Sequence, residues 1–252
     1  MQPTDDFLGR TRLLLGADAM SRVEQANIII FGVGGVGSWC AESLVRSGVK
    51  RLTMVDSDVV CPTNLNRQIM ATRQTLGLPK VEVMRDRLLS IAPDAHIEAI
   101  REVYSAETAE RFDLDKYDFV VDAIDSLKDK ALLILRATAS KATLVSSMGA
   151  ALKMDASQVR MVEFWDAKGC PLARALRKRF KKDGVRPSRK FRCVFSPELL
   201  ENKDPQAAVE DGHGVNGTLM HVTAVFGLMI AGEIIRKLSS VPKPTQIINS
   251  NL

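Results

Sequence analysis

The sequence predicts an α/β fold built on a doubly wound, mainly parallel β-sheet with helices on both of its faces. Two observations support this prediction. Residues 28–150 alternate short apolar runs of strand length with longer stretches of helical periodicity, which is the pattern of parallel strands joined by right-handed helical crossovers. The first apolar run ends in a glycine-rich turn that leads directly into a helical pattern. After residue 150 the pattern changes, so we expect a C-terminal α/β segment that extends this core.

The first unit of the pattern is a strand, a glycine turn and a helix. Residues 28–31 are Ile-Ile-Ile-Phe, which predicts a strand buried on both faces. The glycines that follow are Gly32, Gly34, Gly35 and Gly37, and three of them fit G-x-G-x-x-G. A helix that begins at such a turn presents N–H groups and a positive helix end to a phosphate. We therefore expect nucleotide binding, although a tight turn that needs only the backbone freedom of glycine gives the same pattern.

Two carboxylates follow the next predicted strand, Arg51–Val55. Asp56 stands about twenty residues after the glycine turn, where a Rossmann-like fold places the acid that binds a ribose hydroxyl. Asp58 comes two residues later, and one of the two acids would instead cap a turn. The spacing favours Asp56 as the ribose ligand.

A dense group of hydrogen-bond donors follows at Asn64, Asn66, Arg67 and Gln68. These side chains suit a triphosphate, because its oxygens only accept hydrogen bonds. Lys80 then begins a predicted helix, where a cation is disfavoured unless an anion faces the helix end. Lys80 is therefore either a phosphate ligand or a lysine that is simply solvated.

The remaining strands and helices of the core bring two more acids to the carboxyl edge of the sheet. Strands are predicted at 95–100, 117–121 and 144–147, and helices at 105–112 and 127–141. Asp125 follows the strand at 117–121, where ligands bind in such sheets, and its oxygens suit Mg²⁺. Asp122 would instead stay in the sheet as a structural acceptor.

The second half of the chain is predicted to contain two strands and two helices. The strands lie at 158–164 and 191–196, and the helices at Pro171–Lys182 and 215–238, with an irregular loop at 204–214. Residues 218–235 form the most apolar stretch, but they include His221 and Glu233 and are barely long enough to cross a bilayer. We expect a buried helix there.

The charge of the chain is unevenly distributed. The formal net charge is +5, and residues 174–192 contain ten Lys or Arg against one acid, Asp183. That density favours a polyanionic partner, although such a run is often only a solvated helix face. The ten candidate RNA-binding residues are Arg174, Arg177, Lys178, Arg179, Lys181, Lys182, Arg186, Arg189, Lys190 and Arg192.

The four cysteines are widely spaced, at Cys40, Cys61, Cys170 and Cys193. No C-x-x-C pair is present, which excludes a zinc site of the paired-cysteine kind and a disulfide framework. We expect a reducing, cytoplasmic location, since residues 1–6 are polar and acidic and show no signal peptide. Cys193 lies within an apolar strand, where a buried, unreactive thiol is the usual case.

Taken in order, these motifs resemble the adenylating enzymes related to ubiquitin activators. The matching elements are the glycine turn, D-x-D at 56–58, N-x-x-R-Q at 64–68, Lys80 and D-x-x-D at 122–125. The resemblance implies a homodimer that binds ATP and Mg²⁺ and activates a carboxylate as its acyl adenylate, releasing pyrophosphate. A nicotinamide-dependent oxidoreductase and a non-catalytic RNA-binding module remain alternatives; the first would leave 64–68 and Asp125 without a purpose.

The resemblance also implies roles for individual residues. Asp125 would hold magnesium, Asp56 the ribose, and Gly35 would approach the phosphates through its backbone. Arg12 matches an arginine that reaches into the partner subunit's site. The implied catalytic residues are Arg12, Arg67, Lys80 and Asp125. The implied nucleotide-binding residues are Gly32, Gly34, Gly35, Gly37, Asp56, Asp58, Asn64, Asn66, Arg67, Gln68, Lys80, Asp125 and Ser126.

Within that family the closer resemblance is to the tRNA threonylcarbamoyladenosine dehydratases. The supporting segments are 34–39, 66–69, 121–126, 193–196 and 223–227. The likeness implies one adenylating domain over 1–252, with an N-terminal arm at 1–24, an ATP-binding core at 25–150 and a C-terminal extension at 151–252 whose basic segment faces tRNA.

The substrate implied by this likeness is an anticodon stem-loop that carries threonylcarbamoyladenosine, whose carboxylate is activated so that its side chain closes into a ring. The alternative is adenylation of the C-terminal glycine of a ubiquitin-like sulfur carrier, against which the missing zinc cysteines and the basic stretch both count. Residues 204–214 look short for the dehydratases and lack a cysteine that some carry there, which leaves a sulfur-transfer partner open.

Overall fold

The computed structural model describes residues 6–204, 209–210 and 213–240 of the chain. The strands are β1 (Asn27–Phe31), β2 (Arg51–Val55), β3 (His96–Ile100), β4 (Phe119–Asp122), β5 (Thr143–Ser147), β6 (Arg160–Glu163), β7 (Arg192–Phe195), β8 (Val209–Glu210) and β9 (His213–Gly214). The helices are α1 (Gly9–Leu15), α2 (Ala17–Gln25), α3 (Gly37–Arg46), α4 (Lys80–Ile91), α5 (Leu127–Ala139), α6 (Pro171–Lys182) and α7 (Met220–Ser239).

The predicted doubly wound sheet is confirmed. Seven strands lie in the order β3-β2-β1-β4-β5-β7-β6, and all neighbouring pairs are parallel except β6 with β7. The chain runs outward from β1 through β2 and β3 on one side, and through β4 and β5 on the other. The carboxyl ends of β1 and β4 therefore border the crevice in which ligands bind in open α/β sheets.

Helices cover both faces of the sheet, as the uninterrupted apolar run at β1 predicts. Ile28 and Ile30 pack with residues of α3, α4 and α7 on one face, while Ile29 and Phe31 pack with residues of α5 and α6 on the other. Successive side chains of a strand point to opposite faces, so a strand buried on both sides must be apolar throughout.

Helix α7 is buried against the sheet and α3, as expected for the apolar stretch near the C-terminus. A Cβ atom at Gly227 would lie 2.4 Å from the carbonyl oxygen of Val36, so only glycine permits this approach of α7 to α3. Glu233 is buried in the same helix and forms an ion pair with Arg236. Among the described residues, no helix has both the length and the apolarity that a membrane crossing requires.

The predicted helix at 105–112 is wrong. The segment contains only a single 3-10 turn, Ala109–Arg111. The hydroxyl of Thr108 accepts a hydrogen bond from the Ser105 N–H at 2.9 Å and donates one to the Val103 carbonyl at 2.6 Å. Such local side-chain bonds offer the backbone an alternative to the helix.

The last helix begins at Met220 rather than at residue 215. The segment before it is tied to two loops, because the Gly217 N–H donates to Asn202 Oδ1 at 2.8 Å and the Gly217 carbonyl accepts from the Leu152 N–H at 2.9 Å. Within the predicted loop at 204–214, β8 and β9 pair as a short antiparallel hairpin. Residues 205–208 and 211–212 of that loop lie outside the described residues.

Candidate nucleotide-binding site

A cavity of about 830 Å³ opens at the carboxyl edge of the sheet, beside the ends of β1, β2, β4 and β5. Eleven of the thirteen predicted nucleotide-binding residues line it. These are Gly32, Gly34, Gly35, Asp56, Asp58, Asn64, Arg67, Gln68, Lys80, Asp125 and Ser126. Gly37 and Asn66 lie outside the lining. The fold thus gathers residues from five separate segments of the chain around one space.

The glycines of the turn serve different purposes. Gly32 has a φ of +91°, and a Cβ there would lie 2.6 Å from the carbonyl oxygen of Ala123. A Cβ at Gly37 would lie 1.9 Å from the carbonyl oxygen of Gly32, so both residues are required by backbone packing. At Gly34, by contrast, the nearest atom to such a Cβ is Gln68 Nε2 at 3.9 Å. Gly34 therefore leaves open space over the turn, where a phosphate could approach the backbone.

Asp56 joins the glycine turn to the loop after β2. Its Oδ2 accepts a hydrogen bond from the Val33 N–H at 2.7 Å, and its Oδ1 accepts one from the Asp58 N–H at 2.9 Å. Burial raises the pKa of Asp56, and the positive charge of Lys80 opposes that rise. Each oxygen retains a further lone pair, so the carboxylate can accept hydrogen bonds from a vicinal diol in the cavity.

Lys80 is not a solvated lysine, because its side chain is only 8% exposed. Its Nζ lies 2.7 Å from Oδ2 of Asp58, whose side chain is 63% exposed. The Lys80 N–H also donates to the Asp58 carbonyl at 3.0 Å. The first residue of α4 thus holds a buried ammonium beside the cavity, with a solvent-facing carboxylate that an anionic ligand could replace as its partner.

The donor-rich turn at 64–68 presents a guanidinium and an amide to the cavity. Arg67 Nη1 donates to the Thr63 carbonyl at 2.8 Å and to Asn66 Oδ1 at 3.0 Å. A guanidinium has five N–H donors, so Arg67 retains others that can bind a ligand in the cavity. Gln68 is buried, and its Oε1 has no hydrogen-bond partner in the part of the chain described. A buried polar atom without a partner is uncommon in a folded chain, so Gln68 is a group that a ligand can satisfy.

Two contacts of this turn were not anticipated from sequence. Trp39 Nε1 on α3 donates to the Arg67 carbonyl at 3.0 Å and so fixes the turn. Asn66 Nδ2 donates to the Thr218 carbonyl at 3.2 Å, which ties the turn to the segment before α7. Asn66 therefore orients the wall of the cavity rather than lining it. The only sequence signal was that Trp39 falls next to the glycine turn.

Asp122 is a structural acceptor within the sheet, as one interpretation of the sequence proposed. Its Oδ1 accepts from Lys130 Nζ at 2.9 Å, its Oδ2 accepts from the Ser146 hydroxyl at 2.6 Å, and all three side chains are buried. Lys130 also donates to the Ile124 carbonyl at 2.8 Å. This buried lysine holds the loop that leads to Asp125, and sequence reasoning missed it.

Asp125 is exposed at the mouth of the cavity. Within the described parts of the chain, no group of three or more His, Cys, Asp or Glu side chains could hold a metal ion. Mg²⁺ in nucleotide sites is usually held by one or two carboxylates together with phosphate oxygens and water, so a single free carboxylate here fits that ion. The hydroxyl of Ser126 caps α5, accepting from the Asp129 N–H at 3.4 Å.

Arg12 lies on α1 and does not line the cavity of its own chain. It pairs with Asp6 at 3.4 Å and with Glu24 at 3.6 Å. The two residues that follow it, Leu13 and Leu14, are 89% and 84% exposed. Helix α1 thus presents an arginine and two unburied leucines on the protein surface.

The basic segment divides into surface residues and residues that bond to the protein interior. Arg177 donates to the carbonyls of Phe164 and Ala167, Arg189 donates to four carbonyls at residues 137–142, and Arg192 donates to the Met161 carbonyl. The guanidinium of Arg186 stacks on the Trp165 ring, 4.9 Å from its centre. The six other basic residues are Arg174, Lys178, Arg179, Lys181, Lys182 and Lys190, and all but Arg179, which pairs with Asp183, are exposed.

The thiol of Cys193 is buried within β7, and this burial raises its pKa to about 12. A thiol with such a pKa remains protonated at neutral pH, and the thiolate is the reactive form. The interpretation of Cys193 as a structural residue is therefore supported, and no nucleophilic role is assigned to it.

The chain is similar in sequence and in structure to known proteins. The tRNA threonylcarbamoyladenosine dehydratase of Escherichia coli (strain K12) is 34% identical over 91% of this chain and 92% of that protein. The enzyme of the same name from Bacillus subtilis (strain 168) is 32% identical over 91% of this chain and 93% of that protein. The crystal structure of the Escherichia coli dehydratase in complex with ATP superposes with a TM-score of 0.83 at 35% identity, covering 94% of this chain and 96% of that one. Residues 8–252 match the ThiF family, and the chain belongs to that family.

Proposed function

We propose that this protein catalyses the ATP-dependent dehydration of N6-threonylcarbamoyladenosine in tRNA to its cyclic form, through an acyl adenylate of the threonyl carboxylate. The observation that carries the proposal is that one cavity gathers Asp56, Arg67, Lys80 and Asp125 from four separate segments. The relatives named as dehydratases of this nucleoside, one of them crystallised with ATP, direct the choice of substrate.

Adenylation replaces the poor leaving group of a carboxylate, an oxygen that would leave as water, with a good one, AMP. A carboxylate oxygen of the substrate attacks the α-phosphorus of ATP and pyrophosphate departs, which leaves the acid as a mixed anhydride with AMP. The carbamoyl group of the same side chain then attacks the activated carbonyl carbon, and AMP departs with the oxygen that would otherwise leave as water. Because the attacking group is tethered, the ring can close without an enzymic nucleophile, in keeping with the buried, protonated Cys193.

The residues of the cavity position ATP and offset its charge. Asp56 accepts from the ribose hydroxyls, while Lys80 exchanges Asp58 for a phosphate oxygen and Arg67 adds donors to the departing pyrophosphate. Asp125 would hold Mg²⁺, which when bound neutralises charge on the phosphates. Donors held in place before the reaction lower the barrier most when charge develops next to them.

The proposal also covers the oligomeric state of the protein and the roles of its three segments. We assign residues 25–150 to ATP binding, residues 151–252 to substrate binding, and the arm at 1–24 to a homodimer in which Arg12 reaches the partner subunit's cavity. The exposed Leu13 and Leu14 beside Arg12 support that contact, since burying leucine stabilises an interface. A tRNA substrate implies a cytoplasmic location, and a sulfur-transfer partner is not required by this chemistry.

Helix α6 provides a surface along which the RNA could reach the cavity. Its first residues, Pro171 and Leu172, line the cavity, and its exposed cations begin one turn later at Arg174. Lys190 and Arg192 lie instead near the start of β7, at the opposite edge of the sheet. The surface of α6 can therefore hold the phosphates beside a modified base while that base enters the cavity.

Replacing Arg174, Lys178, Lys181 and Lys182 together with glutamine should weaken tRNA binding. Each phosphate contact contributes about 0.9 to the dependence of log affinity on log salt, so the loss of four contacts should make the slope less steep by about 3.6. Filter binding between 50 and 200 mM salt measures this change. The matched control neutralises four exposed cations elsewhere, Arg51, Arg73, Lys116 and Lys141; equal losses in both variants would place the RNA on another surface.

The function is tested by incubating the protein with threonylcarbamoylated tRNA and Mg-ATP. The nucleoside isolated from the product should have lost the mass of one water, with one AMP formed for each ring closed. AMP formation with a sulfur-carrier protein and none with tRNA would instead favour the adenylation of a carrier. No AMP with either substrate would refute the proposed activity.

A further inference from the structure

The cavity has a second wall, which the nucleotide-binding motifs do not account for. This wall is formed by residues 147–153, Pro171, Leu172, Leu199 and Val215. In the described ranges 6–204 and 215–240, Lys153 is the only charged side chain on it. Apart from Ser147, whose hydroxyl donates to the Met148 carbonyl at 2.9 Å, the remainder of the wall is apolar or contributes backbone.

Lys153 is buried without a carboxylate partner. Its side chain is almost fully removed from solvent, the whole residue being only 4% exposed. Its Nζ donates to the Glu198 carbonyl, and no ion pair forms between Lys153 and any described acid. The Glu198 carboxylate is bound to the backbone N–H groups of Met154 and Asp155, both at 2.9 Å. A buried ammonium is unfavourable unless it is paired. Burial accordingly lowers the pKa of Lys153, and the charge of the nearby Glu198 opposes this effect without removing it.

The backbone beside Lys153 is held in an unfavourable conformation. Leu152 has a φ of +57°, the single positive value at a residue other than glycine among the described residues. The conformation is fixed from both sides, because the Leu152 N–H donates to the Gly217 carbonyl and its own carbonyl accepts from the Leu200 N–H, both at 2.9 Å. Strain of this kind persists only where the surrounding structure imposes it, and it is often found at functional sites.

The N-terminus of α6 meets the same wall. Its N-cap residue, Cys170, makes no side-chain capping bond, and the first turn contains no acid. The positive end of a twelve-residue helix therefore stands beside a buried ammonium without a negative group of its own. Both features favour an anion in this part of the cavity.

We propose that Lys153, supported by the N-terminus of α6, binds the carboxylate of the acyl substrate. This assignment rests on the proposed function, in which that carboxylate must meet the α-phosphate of ATP in the same cavity. Lys153 binds one carboxylate oxygen and leaves the other free to attack. The two cationic regions then have separate roles: Arg67 and Lys80 take the triphosphate, and Lys153 takes the acid.

A merely structural role for Lys153, as a donor to the Glu198 carbonyl, predicts different behaviour. Lys153→Gln separates the two roles, because glutamine retains an N–H donor and loses the charge. The probe is a synthetic anticodon stem-loop carrying threonylcarbamoyladenosine either as the free acid or as its methyl ester. Binding of each is measured in the presence of an ATP analogue whose α–β linkage cannot be cleaved, so that the acid is not adenylated during the measurement.

The wild-type protein should bind the acid about ten-fold more tightly than the ester, on the scale of one charge-assisted hydrogen bond. Lys153→Gln should bind both equally and retain wild-type affinity for the ATP analogue. Lys168→Met, at an exposed lysine, should keep the wild-type preference. Lys153→Met also removes the charge and serves as a second uncharged variant. Thermal unfolding of each protein is recorded to show that it is folded.

The same preference for the acid in wild type and Lys153→Gln would overturn the assignment, and so would a wild-type protein that binds acid and ester alike. Failure of the proposed function appears separately, as the absence of AMP when wild-type protein, the acid stem-loop and Mg-ATP are combined. The binding preference requires no turnover, so the two results are independent.

Discussion

Asp125→Ala should reduce pyrophosphate release about 10³-fold while the affinity for modified tRNA stays within two-fold. The carboxylate faces the cavity, and no hydrogen bond or ion pair joins its side chain to the described residues. Removing it therefore takes away the proposed metal ligand without leaving a buried group unpaired. A loss of this size corresponds to about 4 kcal/mol of transition-state stabilisation, within reach of a metal ion that offsets charge on transferring phosphates.

The measurement is single-turnover pyrophosphate release with saturating modified tRNA, alongside filter binding and thermal unfolding. Asp166→Ala is the matched control, since Asp166 is likewise an exposed acid without a side-chain partner among the described residues. We expect both variants to unfold at the wild-type temperature. Unchanged turnover in Asp125→Ala would show that this carboxylate holds no metal required for adenylation.

The features that sequence predicted well are those set by local chemistry. Strand β2 and helix α6 have the predicted bounds, because an apolar run ending in an acid and a proline at the first position of a helix are both local signals. The cavity follows from topology: once β1, β2 and β4 are parallel neighbours, Asp56 and Asp125 must lie at one edge of the sheet.

The features that sequence could not predict depend on tertiary contacts. Lys153 is far in sequence from every nucleotide-binding motif, and its position depends on a strained Leu152 held by two distant loops. Arg189 belongs to a charged run that resembles a solvated surface, yet its guanidinium bonds carbonyls at the end of α5. Charge density along a sequence shows how many cations are present, but not which of them already bond to carbonyls of the protein.

Lys130→Met should destabilise the protein by about 3–5 kcal/mol, because it leaves the Asp122 carboxylate buried without its positive partner. Both side chains of this pair are fully buried, with Lys130 Nζ 2.9 Å from Asp122 Oδ1. For a chain of this size that loss lowers the temperature of unfolding by roughly 10 °C. Lys128→Met, at an exposed lysine on the same helix, is the control and should change it little. An unfolding temperature within two degrees of wild type would contradict the proposed strength of the pair.

The double variant Asp122→Asn with Lys130→Met separates stability from positioning. Asparagine removes the unpaired charge and can still accept from the Ser146 hydroxyl, so the unfolding temperature should recover most of the loss. Pyrophosphate release should not recover with it, because Lys130 also anchors the Ile124 carbonyl, one residue before Asp125. The pair thus links the core of the sheet to the proposed metal ligand. Full recovery of both stability and turnover would show that Lys130 serves the core alone.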